Sequence, residues 1–326
     1  MQFIIVGQGL VGSLLSIQLI ENGHTVHVLD NGHLNSASHV AAGILNPLTG
    51  PRLSRTWPSQ AHLDTSLAFY HTIESILNTL LVIPLTLHKH INTVQEIEAY
   101  TQKKSQPEYQ ELFKTPSPTH HNTFHIPIYR INTQALLKKT KDYLIRHNAY
   151  IQTQFNHNSL KITATSVKWK HITADAIIFC EGYKGAENPL FSHLKFKNAK
   201  GELIHFTCDS LPPDVLFNHG KWSCPLNKTS HLYGSTAYWD FTTQCPQYAT
   251  THPLMQSLKH WIGRPYQITQ VTAGIRPIMA NRQPIAETHP QFDNVHIING
   301  LGSHGTYMAP HLLSRMTSRF TRLNRP

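Results

Sequence analysis

The chain is poor in acidic residues, in cysteine and in long apolar runs. It carries 18 Asp and Glu against 28 Lys and Arg, a formal net charge of +10. That surplus favours anionic partners: carboxylates, phosphates or nucleic acid. The basic residues are scattered, so no nucleic-acid-binding stripe is visible. The four cysteines (Cys180, Cys208, Cys224, Cys245) show no C-x-x-C and no metal spacing, which fits free thiols in a reducing cytoplasm. No apolar run approaches the roughly 20 residues of a membrane span. The apolar N-terminus lacks the basic leader of a signal peptide, so a cytoplasmic protein is expected. The 24 histidines are unusual. Pairs such as His88/His90 and His120-His121 belong to no H-E-x-x-H or Cys/His framework, and no metal site is expected.

What the chain does have is concentrated at its start. Met1–Val6 reads as an apolar strand, and Gly7-Gln8-Gly9-Leu10-Val11-Gly12 follows as G-x-G-x-x-G. Leu10 to Ile20 is apolar at helical spacing, Gly23 stops the helix, Thr25–Leu29 is a second strand, and Asp30 closes the unit. In that context Gly7 permits the tight turn, Gly9 lets the backbone approach a pyrophosphate, and Gly12 lets the helix pack on the sheet. The helix start would hold phosphate charge, and Asp30 would accept ribose hydroxyls. The motif alone leaves NAD and FAD both open.

With 326 residues, of which 40% are hydrophobic, the chain suffices for two domains, or one with a large insertion. A long irregular stretch, 31–60, is of the length that is usually functional. Periodicity predicts helices over about 60–81, 93–103, 254–262 and from Asn132 to about His147, and a last one starting near Pro310. Strands are expected at 85–91, 150–154, 166–169, 203–208, 231–236, 266–271 and 296–298, with 105–125 as a surface excursion. Ala174–Cys180 is a continuous apolar run closed by Gly182, which suits a strand buried on both faces. Dinucleotide-type elements thus occur at the start, middle and end. One cofactor domain (1–82, 135–190, 270–326) is expected from three pieces, with the insertions (83–134, 191–269) forming a second, substrate-binding domain.

Four segments taken in order make the chain resemble the FAD-dependent amine and amino-acid oxidases of the D-amino-acid oxidase superfamily, nearest in layout to glycine oxidase. They are Gly7–Asp30, Ser36–Pro47, Thr272–Pro284 and Gly300–Pro310, with Ala174–Gly182 similar to a third flavin contact. The resemblance implies an α/β fold: a Rossmann-like, glutathione-reductase-type FAD domain with a three-stranded meander, beside an α+β domain on an antiparallel sheet. It also implies that the loop with Asn31, Ser38, Ala41, Ala42 and Gly43 runs under pyrophosphate and flavin, where small residues do not obstruct a flat ring. Cys180 and Gly182 join that set. Gly302, Ser303, His304, Gly305 and Thr306 would place backbone N–H groups at the flavin edge that becomes negative on reduction. His304 itself either lies near the ring or faces solvent.

Arg276, in Ala273-Gly274-Ile275-Arg276-Pro277, matches the arginine that grips the substrate carboxylate in related oxidases, a task suited to a planar fork. Gly274 would allow close approach of the flavin, and Arg282 would assist or hold its loop. Tyr238, Trp239 and Tyr307 would close the substrate pocket; Arg52 and Arg55 would either meet the anionic substrate or stay solvated. FAD is expected to be non-covalent. No cysteine follows Cys245, and His39 lies one position from where some relatives tether the flavin.

The implied activity is oxidation of the C–N bond of an amino acid or N-substituted glycine by hydride transfer to flavin N5, with oxygen or a quinone as final acceptor. Some features depart from the better-studied oxidases: Glu181, Glu287, the stretch Asn46–Trp57, and Lys200-Gly201-Glu202. Two rivals stay open: a flavin-dependent enzyme modifying a tRNA wobble uridine, which shares this fold and would explain the charge, and a non-catalytic flavin-binding module, to which the departures at Glu181 and Glu287 point.

Overall fold

The computed structural model describes residues 1–32, 36–56, 60–110, 112–113, 116–117, 120–247, 249 and 252–323. Two large sheets organise them. The first has six strands in the order Ile285–His289, Phe292–Asn299, Ala176–Phe179, Gln2–Val6, Thr25–Asp30, Tyr150–Gln152. All neighbours are parallel except the antiparallel edge strand Ile285–His289.

The central strands are apolar on both faces because both are covered. Phe3, Ile5, Ala176 and Ile178 pack with the helices Leu10–Glu21, Gln60–Leu77, Thr133–Arg146 and Gly305–Leu323. The alternate residues Ile4, Val6, Ile177 and Phe179 pack with Val167, Trp169 and Ile172. Those last three belong to an antiparallel three-stranded meander, Leu160–Ile162, Val167–Trp169, Ile172–Ala174. This is the three-layer arrangement expected of a buried parallel sheet.

The second sheet has nine strands. Its main path runs Gln267–Arg276, Ala199–Thr207, Ser230–Gly234, Trp222–Pro225, Val215–Asn218, Val82–His90, His120–Ile131, Ile44–Leu45, and Pro116–Ser117 adds to His120–Ile131. It is antiparallel except where Val215–Asn218 meets Val82–His90. The domain boundaries expected at 82/83 and 269/270 fall inside strands of this sheet. Ile44 and Leu45, from the long loop after the first motif, form its far edge on Arg130 and Tyr129.

Three expectations about elements need correction. The helix read as 60–81 ends at Leu77, and Asn78 takes a left-handed φ of 48°. The Glu74 carboxylate turns back to accept from the amides of Leu81 and Val82 at 2.5 and 2.7 Å, so Leu81 begins the next segment. The excursion read as 105–125 contains the start of the strand His120–Ile131. The last helix starts at Gly305 and carries Pro310 inside it. Pro310 has no N–H for the carbonyl of Thr306, and the Tyr70 hydroxyl donates to that carbonyl instead, at 2.7 Å. Asn132 does cap its helix, accepting from the amide of Ala135 at 3.2 Å.

Candidate active site

The two sheets meet at a cleft of about 610 Å³. The carboxyl end of Gln2–Val6 feeds it through the glycine turn. Gly7 has φ +100°, and a Cβ there would lie 2.6 Å from the carbonyl oxygen of Cys180. Gly12 faces away from the cleft; a Cβ there would strike the carbonyl of Gly7 at 1.9 Å, so its role is packing of helix on turn. Gly9 differs from both. Its φ is an ordinary −78°, and the one protein atom near a Cβ would be Ser38 Oγ at 3.3 Å. Packing does not demand glycine there; a ligand passing over the turn does.

The donors around Gly9 fit an anionic dinucleotide. The Leu10–Glu21 helix has no side-chain cap, which leaves first-turn N–H groups for phosphate. The Leu10 amide itself is held by Ser38 Oγ at 3.0 Å. Asp30 is oriented by the amides of Gln8 and Gly32 at 2.9 and 2.7 Å, and its remaining lone pairs are available to hydroxyls. Gln8 does structural work, donating to Ser13 Oγ and the carbonyl of Leu137. The cleft is long enough to bring Leu10, Val11, Asp30, Asn31, Ser38, Ala41, Ala42, Gly43, Cys180, Gly182 and the Gly302–Thr306 turn to one wall system.

Other small residues have reasons the sequence did not give. Gly43 takes φ +74°, and a Cβ would meet the carbonyl of Ile131 at 1.9 Å; the edge strand requires it. A Cβ at Gly274 would lie 2.4 Å from Val40 Cγ2 and 3.2 Å from Ala37 Cα. Its smallness therefore admits the short helix Ala37–Val40, a reason within the protein itself, and Gly274 also lines the cleft. Cys180 is buried, which pushes its thiol pKa up and keeps it protonated.

Arg276 ends the strand Gln267–Arg276 and reaches the cleft. Its guanidinium lies over Gly201, where a Cβ would come within 2.3–2.5 Å of it. It donates to the carbonyl of Thr236 at 3.1 Å and to Ser235 Oγ at 2.9 Å. Among the described residues no carboxylate pairs with it, and burial pulls its pKa down. Lys221 stands behind, donating to the carbonyl of Ser235 at 2.9 Å; burial and Arg276 lower its pKa. Thr236 is itself fixed by Glu202, whose amide donates to Thr236 Oγ1 at 2.9 Å. Glu202 is buried with Lys200 at 3.1 Å and His252 at 2.9 Å.

His304 and Tyr307 also line the cleft. Burial lowers the pKa of His304 and raises that of Tyr307 to about 12, so both are neutral near pH 7. Five expected pocket residues do not line the cleft. Tyr238 pairs with Lys200 and bonds His252 Nε2 at 3.0 Å. Arg282 occupies a turn with φ 61°, Arg55 donates to the carbonyl of Glu108 at 2.9 Å, and Arg52 is exposed. Trp239 is exposed, with the Lys197 ammonium over its ring at 5.3 Å, and Trp57 lies outside the described residues. The departure Glu181 lines the cleft and accepts from Asn188 Nδ2 at 2.7 Å; Glu287 faces out from the edge strand.

Sequence reading missed Leu216, Asn218, Trp222 and Ser235, all on the cleft wall, and noted Gly201 there only as part of a departure from related oxidases. The available signal was Gly201, a glycine within a strand pattern, which marks close approach of another group.

Comparison with known proteins agrees with this geometry. A family model described as DAO, FAD dependent oxidoreductase, matches residues 2–317. The uncharacterized oxidoreductase YurR of Bacillus subtilis (strain 168) is 22% identical over 344 residues, covering 95% of this chain and 92% of its own. Glycine oxidase from Bacillus cereus ATCC 14579 superimposes with a TM-score of 0.75 at 16% identity, covering 99% of this chain and 98% of its own. Iminodiacetate oxidase (IdaA) from Chelativorans sp. BNC1 gives 0.70 at 17% identity, covering 98% and 95%. At such identities the structural likeness speaks for the fold. The glycine cradle, the cleft and the family match lead to one conclusion: the chain belongs to the DAO family of FAD-dependent oxidoreductases, and FAD is its cofactor.

Proposed function

We propose that the chain oxidises the C–N bond of a carboxylated amine, an amino acid or an N-substituted glycine. The observation that carries this reading is Arg276, a half-buried cation on the cleft wall whose protein partners are both neutral. Each terminal nitrogen of a guanidinium carries two N–H bonds. One on each goes to Thr236 and Ser235, which leaves one on each for the two oxygens of a carboxylate. Pairing with that carboxylate would offset the desolvation Arg276 now bears.

Carboxylate capture fixes one end of the substrate and so orients its α-carbon. Bound FAD supplies the acceptor for the hydride that leaves that carbon. The amine reacts in its neutral form, so the chain needs no obligatory base. His304 and Tyr307, both neutral, add no charge of their own to the cleft wall. The resulting imine is hydrolysed by water. The FAD-binding residues are those of the glycine turn, Asp30, the Ser38–Gly43 loop, Cys180–Gly182 and Gly302–Thr306.

The test is anaerobic mixing of the yellow protein with amino acids and N-substituted glycines. Bleaching of the flavin band by one of them is expected, and bleaching by none would overturn the reading. Arg276→Ala is expected to raise KM for that substrate about 100-fold, the scale of losing a bidentate charged contact, with FAD retained. Loss of FAD instead would refute the role given to Arg276. Peroxide formation on reoxidation in air would mark an oxidase; its absence would point to a quinone acceptor.

A further inference from the structure

One register row crosses the larger sheet: Leu203 pairs with Gly234, Gly234 with Trp222, Trp222 with Asn218, and Asn218 with Lys89. Directly paired residues share a face of a sheet. Leu203, Trp222 and Asn218 line the cleft, so this is its face. The Arg276 guanidinium lies over Gly201, two residues before Leu203 and on the same side. From the Gly201 strand to the Asn218 strand is three strand spacings, about 14 Å at about 4.8 Å each. Over Gly234 the Leu203 and Trp222 side chains fill the place a Cβ would take, so the middle of the row is an apolar floor. A glycine or sarcosine molecule held at Arg276 would fill only one end of this track.

The other end opens on a second cavity of about 250 Å³ that shares Asn46 and Asn218 with the cleft. Its wall carries Lys89 and Glu96, ion-paired and each less than a tenth exposed. Lys89 Nζ also donates to Asn218 Oδ1 at 3.3 Å. Glu96 accepts from the Asn92 amide and the Thr93 hydroxyl, both at 3.2 Å. The pair cancels its own charge. A second carboxylate would find no net attraction there, whereas a neutral group that donates and accepts would meet both kinds of partner.

We propose that the substrate is an elongated carboxylated amine: its carboxylate on Arg276, its chain along the Trp222 row, and a neutral amide-like end at Asn218 and the Lys89–Glu96 chamber. This rests on the carboxylated-amine reading and specifies which amine. About 14 Å corresponds to at most about twelve extended bonds, at about 3.5 Å per three, and curling of the sheet shortens that.

The holoenzyme is mixed anaerobically with glycine, sarcosine and both enantiomers of Nε-acetyl-lysine. Flavin bleaching by an acetyl-lysine is expected to have kcat/KM at least about tenfold above glycine, the scale of one added pair of hydrogen bonds. Asn218→Leu is expected to cut that preference about tenfold through KM. Independently of turnover, 6-acetamidohexanoate is expected to perturb the flavin spectrum of the wild type at lower concentration than acetate does. Glycine or sarcosine matching acetyl-lysine, with acetate binding as tightly as acetamidohexanoate, overturns the proposal and leaves the amine reading standing. No bleaching by any amine overturns both.

Discussion

Gly9 and Gly201 show how two residues without side chains report on what lies beside them. Neither has a left-handed φ, so backbone strain explains neither. Gly201 is required by an arginine: an added methyl would sit on the guanidinium of Arg276. Gly201→Ala is expected to displace Arg276 from Ser235 and Thr236 and to weaken carboxylate binding about tenfold, with FAD still bound. A titration of the flavin spectrum with acetate checks it, and an unchanged affinity would show that Arg276 does not meet the anion. Gly9 is the complementary case. With only Ser38 Oγ close by, the protein tolerates a side chain there, whereas a pyrophosphate over the turn would not. Gly9→Val should therefore fold, read by far-UV circular dichroism, yet purify with little flavin absorbance.

At the scale of elements, legibility followed periodicity. The helix over 133–146 was readable because its cap, Asn132, and its apolar stripe are both local in sequence. The strand Ala176–Phe179 was readable because it is buried on both faces. Strands at Val215–Asn218 and Trp222–Pro225 were not, because neither carries a long apolar run or a period of its own; their neighbours in the sheet set them. That gap cost the site more than the fold, since Asn218 and Trp222 lie on exactly those strands while Tyr238, chosen for its aromatic ring, turned to His252. The end of the Gln60–Leu77 helix was hidden for a similar reason. Leu80 and Leu81 continue the apolar pattern, but the Glu74 carboxylate captures the amides of Leu81 and Val82 and the helix stops at Leu77. Glu74→Ala removes the acceptor from both amides. It is expected to cost about 2 kcal/mol, seen as a lower urea midpoint at unchanged m-value; a shift within error would mean that water replaces the carboxylate at no cost.

For the whole molecule, the abundance of histidine becomes a stability argument. Among the described residues, burial is the leading cause of a lowered pKa at nine histidines: His24, His27, His39, His88, His205, His219, His231, His304 and His311. For His219 the value falls to about 4. A histidine held neutral in the folded chain takes up a proton on unfolding once the pH drops below its unfolded value of about 6.5. Its contribution is complete above that pH and is lost as the pH falls toward the folded pKa. Each such proton adds about 1.4 kcal/mol of slope per pH unit, discounted for the partly exposed rings. Unfolding of the FAD-loaded protein by urea is therefore expected to have a flat midpoint from pH 8 to 7 and a falling one from about 6.5 to 5, above the range in which carboxylates titrate. Charge repulsion from the +10 surplus would produce a similar trend, but salt separates the two causes. Exposed charges are screened within about 8 Å at 0.15 M ionic strength, whereas the desolvation of a buried ring is not. Raising sodium chloride to 0.5 M should leave most of the acid slope in place; if salt abolishes it, repulsion and not burial governs the loss.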